Sequence, residues 1–191
     1  MTGAHQPARS IFFRIKQALL GTARMSEEAR FVQRLRVVEV EDAAAMAGDL
    51  FFRNFRQVIP DFPRHFLLVR EMPSGESVTL GYVHHTPFES SYLAGGLVVD
   101  AWKFRHLSGP EQAEVRERGG MAEWLMADSC RLLDARDAVF ACIGDAKSLT
   151  VNLRVGFRAT EHPYLYILAS PTARPETLQP LAARVAARGL F

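Results

Sequence analysis

The run AVFACI, from Ala138 to Ile143, is apolar at every position, and Asp145 follows it at the head of a helical pattern that Gly156 closes. A fully apolar strand leading straight into a capped helix calls for a layered α/β domain around it. The upstream segments fit one. LRVVEV, Leu35 to Val40, reads as a strand rich in β-branched residues, and Asp42 caps a helix reaching about Arg56. After the proline-punctuated loop IPDFPRH, the runs FLLVREM and VTLGYVHH flank the turn PSGE, and a second turn, TPFESS, leads to the strand-like YLAGGLVVD. LSGPEQAEVRER predicts a short helix with Ser108 as cap and Pro110 in its first turn. A longer helix starts just after Gly119 and Gly120, its apolar stripe running through Ala122, Leu125, Met126, Ser129 and Leu133. PYLYILA supplies a last strand before an Ala/Arg-rich C-terminal helix. The order predicts an α/β domain of α+β type over residues 35–170. Its mixed, mostly antiparallel central sheet is flanked by helices, and the helix in 171–191 packs on the same domain.

Composition removes whole classes of function. Lys and Arg total 23 against 21 acidic residues, a formal charge of +2 that sets up no general field for nucleic acid. The 191 residues, 48% hydrophobic, are enough for one packed core. Cys130 and Cys142 both lie in apolar runs without metal-ligand spacing, so they read as buried thiols of a cytoplasmic protein, and no metal is expected. No apolar run approaches the roughly 18 to 20 residues needed to span a bilayer. The extension 1–34 carries Arg9, Arg14 and Lys16 with no acidic residue before Glu27, while Ile11, Ile15, Ala18 and Leu19 form one stripe. Residues 9–20 therefore predict a basic amphipathic helix that packs on its own domain, on a second subunit in a homodimer, or on an anionic membrane surface.

Two glycines directly before a helix leave bare backbone N–H groups at the positive end of its dipole, and such an end holds anions, phosphates above all. Without side chains at Gly119 and Gly120 a ligand can reach the backbone. No Gly-x-Ser-x-Gly elbow and no phosphate loop ending in Lys-Ser/Thr occurs, which sets hydrolase and nucleotidase chemistry aside.

From Leu35 to Ala169 the arrangement resembles the GNAT superfamily of acyl-CoA-dependent N-acyltransferases. That family binds the coenzyme A pyrophosphate with a loop of pattern Gln/Arg-x-x-Gly-x-Gly/Ala. The matching letters here are Glu117, Gly120 and Ala122, with Arg118 and Gly119 between. Glu117 is an acid where the family has Gln or Arg, and Arg116 and Arg118 flank it. The family's later strand, helix and Gly-Phe pair match AVFACIGDAKSLTVNLRVGF, with Asp145 at the start and Gly156 and Phe157 at the end. Four residues before that glycine the family often has a tyrosine acid, and this chain has Asn152. The stretch between Asp100 and Gly120 is longer than the family's usual connection, and its extra helix is expected to cover the acyl or acceptor site.

The resemblance implies direct transfer of an acyl group from acetyl-CoA, or a longer acyl-CoA, to a small-molecule or peptide amine acceptor, with no nucleic-acid partner. It implies coenzyme contacts at Leu97, Val98 and Val99, whose backbone N–H groups would polarise the thioester carbonyl, at Arg116, Arg118, Gly119, Gly120, Met121 and Ala122 for the phosphates, and at Asp145 and Ser148. Asn152 would donate to the thiolate sulfur. Base candidates for the acceptor amine are His84, Glu89 and Asp100, with His85 beside them; successive strand residues point to opposite faces, so at most one histidine faces the cleft. LFFRNF, Leu50 to Phe55, reads as the core face of the first helix or, in part, the acceptor wall. Tyr164 and Tyr166 are expected on one face of the last strand. Acyl-CoA binding without turnover, and a membrane or partner role for the N-terminal helix, are the alternative readings.

Overall fold

A computed structural model describes residues 35–134, 136–189 and 191. The expected helix in residues 9–20 lies outside them.

Asp42 accepts a hydrogen bond from the Ala45 amide and caps helix α1 (Ala43–Phe55), which follows strand β1 (Leu35–Val40). Strands β2 (Arg64–Glu71), β3 (Ser77–Phe88) and β4 (Ser91–Val99) then run as an antiparallel meander. The expected second turn is shorter than TPFESS. Strand β3 continues through Pro87 to Phe88, pairing Thr86 with Leu93 and Phe88 with Ser91, so only Glu89 and Ser90 are left to turn. Glu89 takes the left-handed conformation (φ +51°) that so tight a turn demands.

After β4 come the short helix α2 (Ala101–Phe104), helix α3 (Gly109–Glu117) and helix α4 (Met121–Leu132). Ser108 and Glu111 form a reciprocal capping box on α3, worth about 1 kcal/mol. Strand β5 (Ala138–Cys142), helix α5 (Ala146–Val155), the two-residue strand β6 (Arg158–Ala159), strand β7 (Leu165–Ala169) and helix α6 (Pro175–Arg188) complete the chain. Asp145 caps α5 through the Lys147 and Ser148 amides, and Gly156 ends it at φ +110°. Tyr164 precedes β7 with φ +63° and stands exposed, so it does not share a strand face with Tyr166.

Among the described residues seven strands lie in the order β1-β2-β3-β4-β5-β7-β6, with β4 and β5 their one parallel pair, so the sheet is mixed and mostly antiparallel as the element order predicts. Alternation along the strands divides the core. Leu67, Val69, Tyr82 and Val98 pack under Ala47, Leu50 and Phe51 of α1. Beside them Leu93, Ala138, Phe140 and Leu165 pack under Leu181 and Val185 of α6. The opposite face, with Phe66, Leu68, Val83, Ala94, Val139 and Ala141, packs on Trp124, Leu125, Met126 and Cys130 of α4. Both faces of β5 are therefore covered, which its unbroken apolar sequence requires. Cys130 is a core thiol, pushed up to about 12 by burial.

The inserted helix does not cover a cleft. Its Val115 and the preceding Leu107 enter the α4-side core, and Glu111 accepts from Arg70 of β2 at 2.7 and 2.9 Å. That two-pronged pair, with Glu111 only 4% exposed, clamps α3 to the sheet.

Candidate functional site

Strands β4 and β5 pair only from Ser91 to Ala94 and from Ala138 to Ala141; beyond Ala94 they separate. The cause is local. Between the pairs Tyr82–Val98 and His84–Gly95, β4 spends one residue more than β3, which is a β-bulge, and Gly96 within it adopts φ +64°. A side chain at Gly96 would be strained there and would meet His84 and Phe51 at 2.8 Å. The freed edge of β4 faces an opening that no strand among the described residues fills. Because the Asp100 amide donates to Leu80 of β3 at 2.8 Å, alternation turns the Val99 amide toward that open edge.

A cavity lies on each side of the split. On the α5 side, about 250 Å³ is bounded by Gly95, Gly96 and Leu97 of β4, Cys142 and Ile143 after the split, and Asp145, Ser148 and Asn152 of α5. On the α1 side, about 570 Å³ is bounded by Phe51 and Phe55, the loop with Val58 and Phe62, His84 and Thr86 of β3, and Arg188. Phe55, Gly96 and Phe191 line both, so the two spaces meet at the bulge.

Asn152 is 3% exposed; its Nδ2 donates to Ser148 O at 2.8 Å, while Oδ1 is buried with no hydrogen-bond partner among the described residues. The polar atom of Asn152 left without a partner, on a residue that lines the α5-side cavity, is thus an acceptor. An orphaned amide oxygen costs about 1–3 kcal/mol, and an N–H of an extended ligand would remove that cost.

His84 lies against the bulge, its Nε2 2.6 Å from where a Cβ of Gly95 would stand. Its Nδ1 is 3.1 Å from the Tyr82 hydroxyl, which is 2.9 Å from Nδ1 of His65. If His84 donates to Tyr82 and Tyr82 to His65, Nε2 of His84 is left as a bare acceptor at the cavity wall. Burial, with the neighbouring His65 adding to it, pushes His84 down to about 4. Burial likewise lowers His65 and raises the Tyr82 phenol. His85 points the other way, fully buried, its Nε2 2.9 Å from Ser129 Oγ. Burial first, then the charges of His84, Arg136 and Arg64, push it down to about 3, so it serves the core as a neutral ring.

Glu89 and Asp100 do not join this group. Glu89 sits at the hairpin tip, in a forked ion pair with Arg184 of α6 that lowers its pKa, at the end of β4 away from the split. Asp100 caps α2 through the Trp102 and Lys103 amides and pairs with Arg53 at 3.1 Å. Burial alone would raise its carboxyl, but the Lys103 amide and the Arg53 and Lys103 charges together hold it below the usual range. Val98 packs into the α1-side core, while Leu97 lines the α5-side cavity.

At the other glycine pair, Gly119 and Gly120 have φ +82° and +110°. The amides of Arg118, Gly119 and Gly120 are spent on Glu114, Arg116 and Val115 of α3, so the free amides begin at Met121 and Ala122. Gly120 brings no side-chain cap, and the space over it is open. Arg118 turns away, 4.2 Å over the Trp124 ring and within 3.8 Å of Glu114, and Arg116 lies over Phe104. The first turn of α4 carries a charge of the wrong sign for an anion: the Glu123 carboxylate rests where a Cβ of Gly119 would be, with Arg154 3.8 Å away. Among the described residues no cluster of His, Cys, Asp and Glu could hold a metal ion, and no helix is long and apolar enough to cross a membrane.

Sequence reasoning missed three parts of this site. The signal for Gly96 was present as two adjacent glycines inside a strand. Tyr82, two residues before the expected base candidate His84, shares its strand face by simple alternation. Arg188 gave no local signal, since only the docking of α6 brings it to the cavity.

No family model and no curated protein matches the chain. Among solved structures it is similar to YhhK from E. coli bound to coenzyme A, at 11% identity over 72% of this chain and 100% of that one, with a TM-score of 0.47. It is also similar to AtaTR bound with AcCoA, at 17% identity over 80% of this chain and 98% of the other, with a TM-score of 0.42. A KacT mutant matches at 14% identity over 80% of this chain and 99% of its own, also at 0.42. Scores and identities this low leave function to be read from the chain's own geometry.

Proposed function

We propose that the chain is a GNAT-like N-acyltransferase that moves an acetyl or longer acyl group from coenzyme A to an amine. The observation that carries this is the split sheet: one bulge at Gly96 opens β4 from β5 and joins a polar cavity on one face to an aromatic one on the other. A thioester laid in such a gap has its carbonyl at the free strand edge, its carrier on one side and its acceptor on the other.

Acyl-CoA supplies the activated acyl group: the thioester C–S bond breaks as the amide C–N bond forms, and the sulfur leaves as thiolate. The chain's residues do the rest. The Val99 amide polarises the carbonyl, worth about 3 kcal/mol in the transition state for one such donor. Asn152 receives an amide N–H of the carrier arm on Oδ1, and its second Nδ2 hydrogen is available to the sulfur. The free amides of Met121 and Ala122, at the open end of α4, suit the pyrophosphate. His84 takes the proton of the acceptor amine on Nε2. A ring held near 4 keeps that proton weakly, and the hydroxyl of Tyr82 leads it on toward His65.

The replacement of the expected tyrosine by Asn152, and Glu123 resting on the phosphate loop, favour one second reading: acyl-CoA binding without turnover. Calorimetry with coenzyme A, acetyl-CoA and a long-chain acyl-CoA, followed by a free-thiol assay with an amine panel, tests both. Binding plus thiol release supports transfer, binding alone supports the sensor, and no binding at millimolar concentration rejects both.

A further inference from the structure

The α1-side cavity has a definite chemical character. Its apolar wall includes Phe51, Phe55, Val58, Phe62 and Phe191, and Gln57, His84 and Thr86 are its neutral polar groups. Among the described residues no Asp or Glu lines it, and its one charged side chain is Arg188, at the end of α6. Arg188 lies 5.8 Å over the Phe88 ring and makes no ion pair with any described residue. The facing titratable group from β3, His84, is held neutral by burial. α1 contributes Phe51 and Phe55 to this wall, and the loop after it Gln57, Val58, Pro60 and Phe62, with no charge among them.

We infer that this cavity binds an acceptor with an apolar body and a carboxylate, the class of free apolar α-amino acids, with the carboxylate on Arg188 and the amine toward His84. The inference rests on the acyltransferase reading for the amine's fate, but not for the fit. A polyamine or a lysine side chain brings a second cation, which needs a carboxylate partner when it leaves water. Among the described residues no side chain of this wall offers one, and Arg188 would stand against the second cation. An apolar side chain of about 150–250 Å² suits the aromatic wall, and a guanidinium takes a carboxylate with two parallel hydrogen bonds. Val58 and Phe62, exposed at 81% and 68%, gain cover when such a ligand enters.

The test uses the full chain and three probes: L-phenylalanine, L-phenylalaninamide, which lacks the carboxylate, and spermidine. With acetyl-CoA, thiol release is expected to favour L-phenylalanine over the other two by about tenfold in kcat/KM, as one charge-assisted pair provides. Arg188→Gln, at an exposed position, is expected to shrink the acid-to-amide ratio to below about twofold, through KM. In calorimetry without coenzyme, N-acetyl-L-phenylalanine is expected to bind, and to bind about tenfold more weakly to the variant. Equal use of acid and amide, a preference for spermidine, or displacement of N-acetyl-L-phenylalanine by the tail of decanoyl-CoA each overturns the inference; in the last case the cavity holds the acyl chain. If N-acetyl-L-phenylalanine binds through Arg188 while no acyl-CoA binds, the ligand class stands and the transfer reading falls.

Discussion

The two cavities that meet at Gly96 are built by opposite means. On the α5 side the polar features, Asp145, Ser148 and Asn152, lie along the first two turns of one helix, and the lining from β4 includes Gly95 and Gly96, which have no side chains. On the α1 side the wall is side chains brought from α1, β3, β4 and the chain's C-terminus, with one polar ring, His84, against the bulge. A glycine-containing strand and two turns of one helix suit a ligand that is always the same. A wall of side chains from four places in the sequence can change residue by residue without disturbing the fold. The carrier's place is thus written into local structure, and the acceptor's into tertiary structure.

The largest expected effect comes from closing both sides at once. Gly96→Val puts a β-branched residue at φ +64° and drives its Cβ into His84 and Phe51. Transfer is expected to fall by more than about a hundredfold, and the thermal midpoint by roughly 5 °C, from 1–2 kcal/mol of strain. A variant that keeps its rate would mean the split is not where reaction occurs. Gly120→Glu should break the carrier side and leave the α1-side cavity intact, with about 1–3 kcal/mol of backbone strain because Gly120 sits at φ +110°. Its carboxylate would stand over the free amides of Met121 and Ala122, and coenzyme A binding measured by calorimetry should weaken beyond about a hundredfold, with N-acetyl-L-phenylalanine affinity intact. Equal weakening of both ligands would remove the phosphate assignment.

His84→Gln and Asn152→Ala then test the two sides one residue at a time. Loss of a general base lowers kcat by about 10²–10⁴, so His84→Gln should do that with the coenzyme dissociation constant unchanged. In the native chain, kcat/KM should show no bend near 6.5 from a histidine. Because His84 is depressed to about 4, its neutral form persists as pH falls and is lost only near that value. A bend near 6.5 that His84→Gln abolishes would contradict the buried, neutral ring. Asn152→Ala removes an atom that is orphaned without ligand, so it should lower turnover about tenfold and coenzyme affinity less. Equal losses would reduce Asn152 to packing.

How much of this the sequence disclosed follows the same division. The β5 strand, the Asp145 cap and the Gly156 stop are local signals, each decided within a few residues, and they stand where the pattern puts them. The α3 helix is equally local, but its destination is not: the Arg70–Glu111 pair joins residues 41 apart, and it holds α3 on the sheet instead of over a cleft. Pro87 suggested a turn, and the pairing of β3 with β4 overrode it. Glu89 and Asp100 read as base candidates, and their ion-pair partners Arg184 and Arg53, 95 and 47 residues away, give no local signal.

The smallest expected effect has the opposite sign. Glu123 is a carrier-side residue that opposes its ligand: its carboxylate rests against Gly119, in the first turn of α4, where an anion's charge would fall. An acid in a first turn stabilises a helix by about 0.3–1 kcal/mol, and here it also repels a phosphate a few ångströms away. Glu123→Gln keeps the shape and removes the charge. Coenzyme A should then bind about three- to tenfold more tightly, more so at low salt because the repulsion is screened, while the thermal midpoint falls by a degree or two. Dephospho-probes sharpen the point: pantetheine, which lacks the pyrophosphate, should bind Glu123→Gln and the native chain alike. If pantetheine gains as much as coenzyme A, the carboxylate acts by blocking space, and the open end of α4 is not where the phosphates sit.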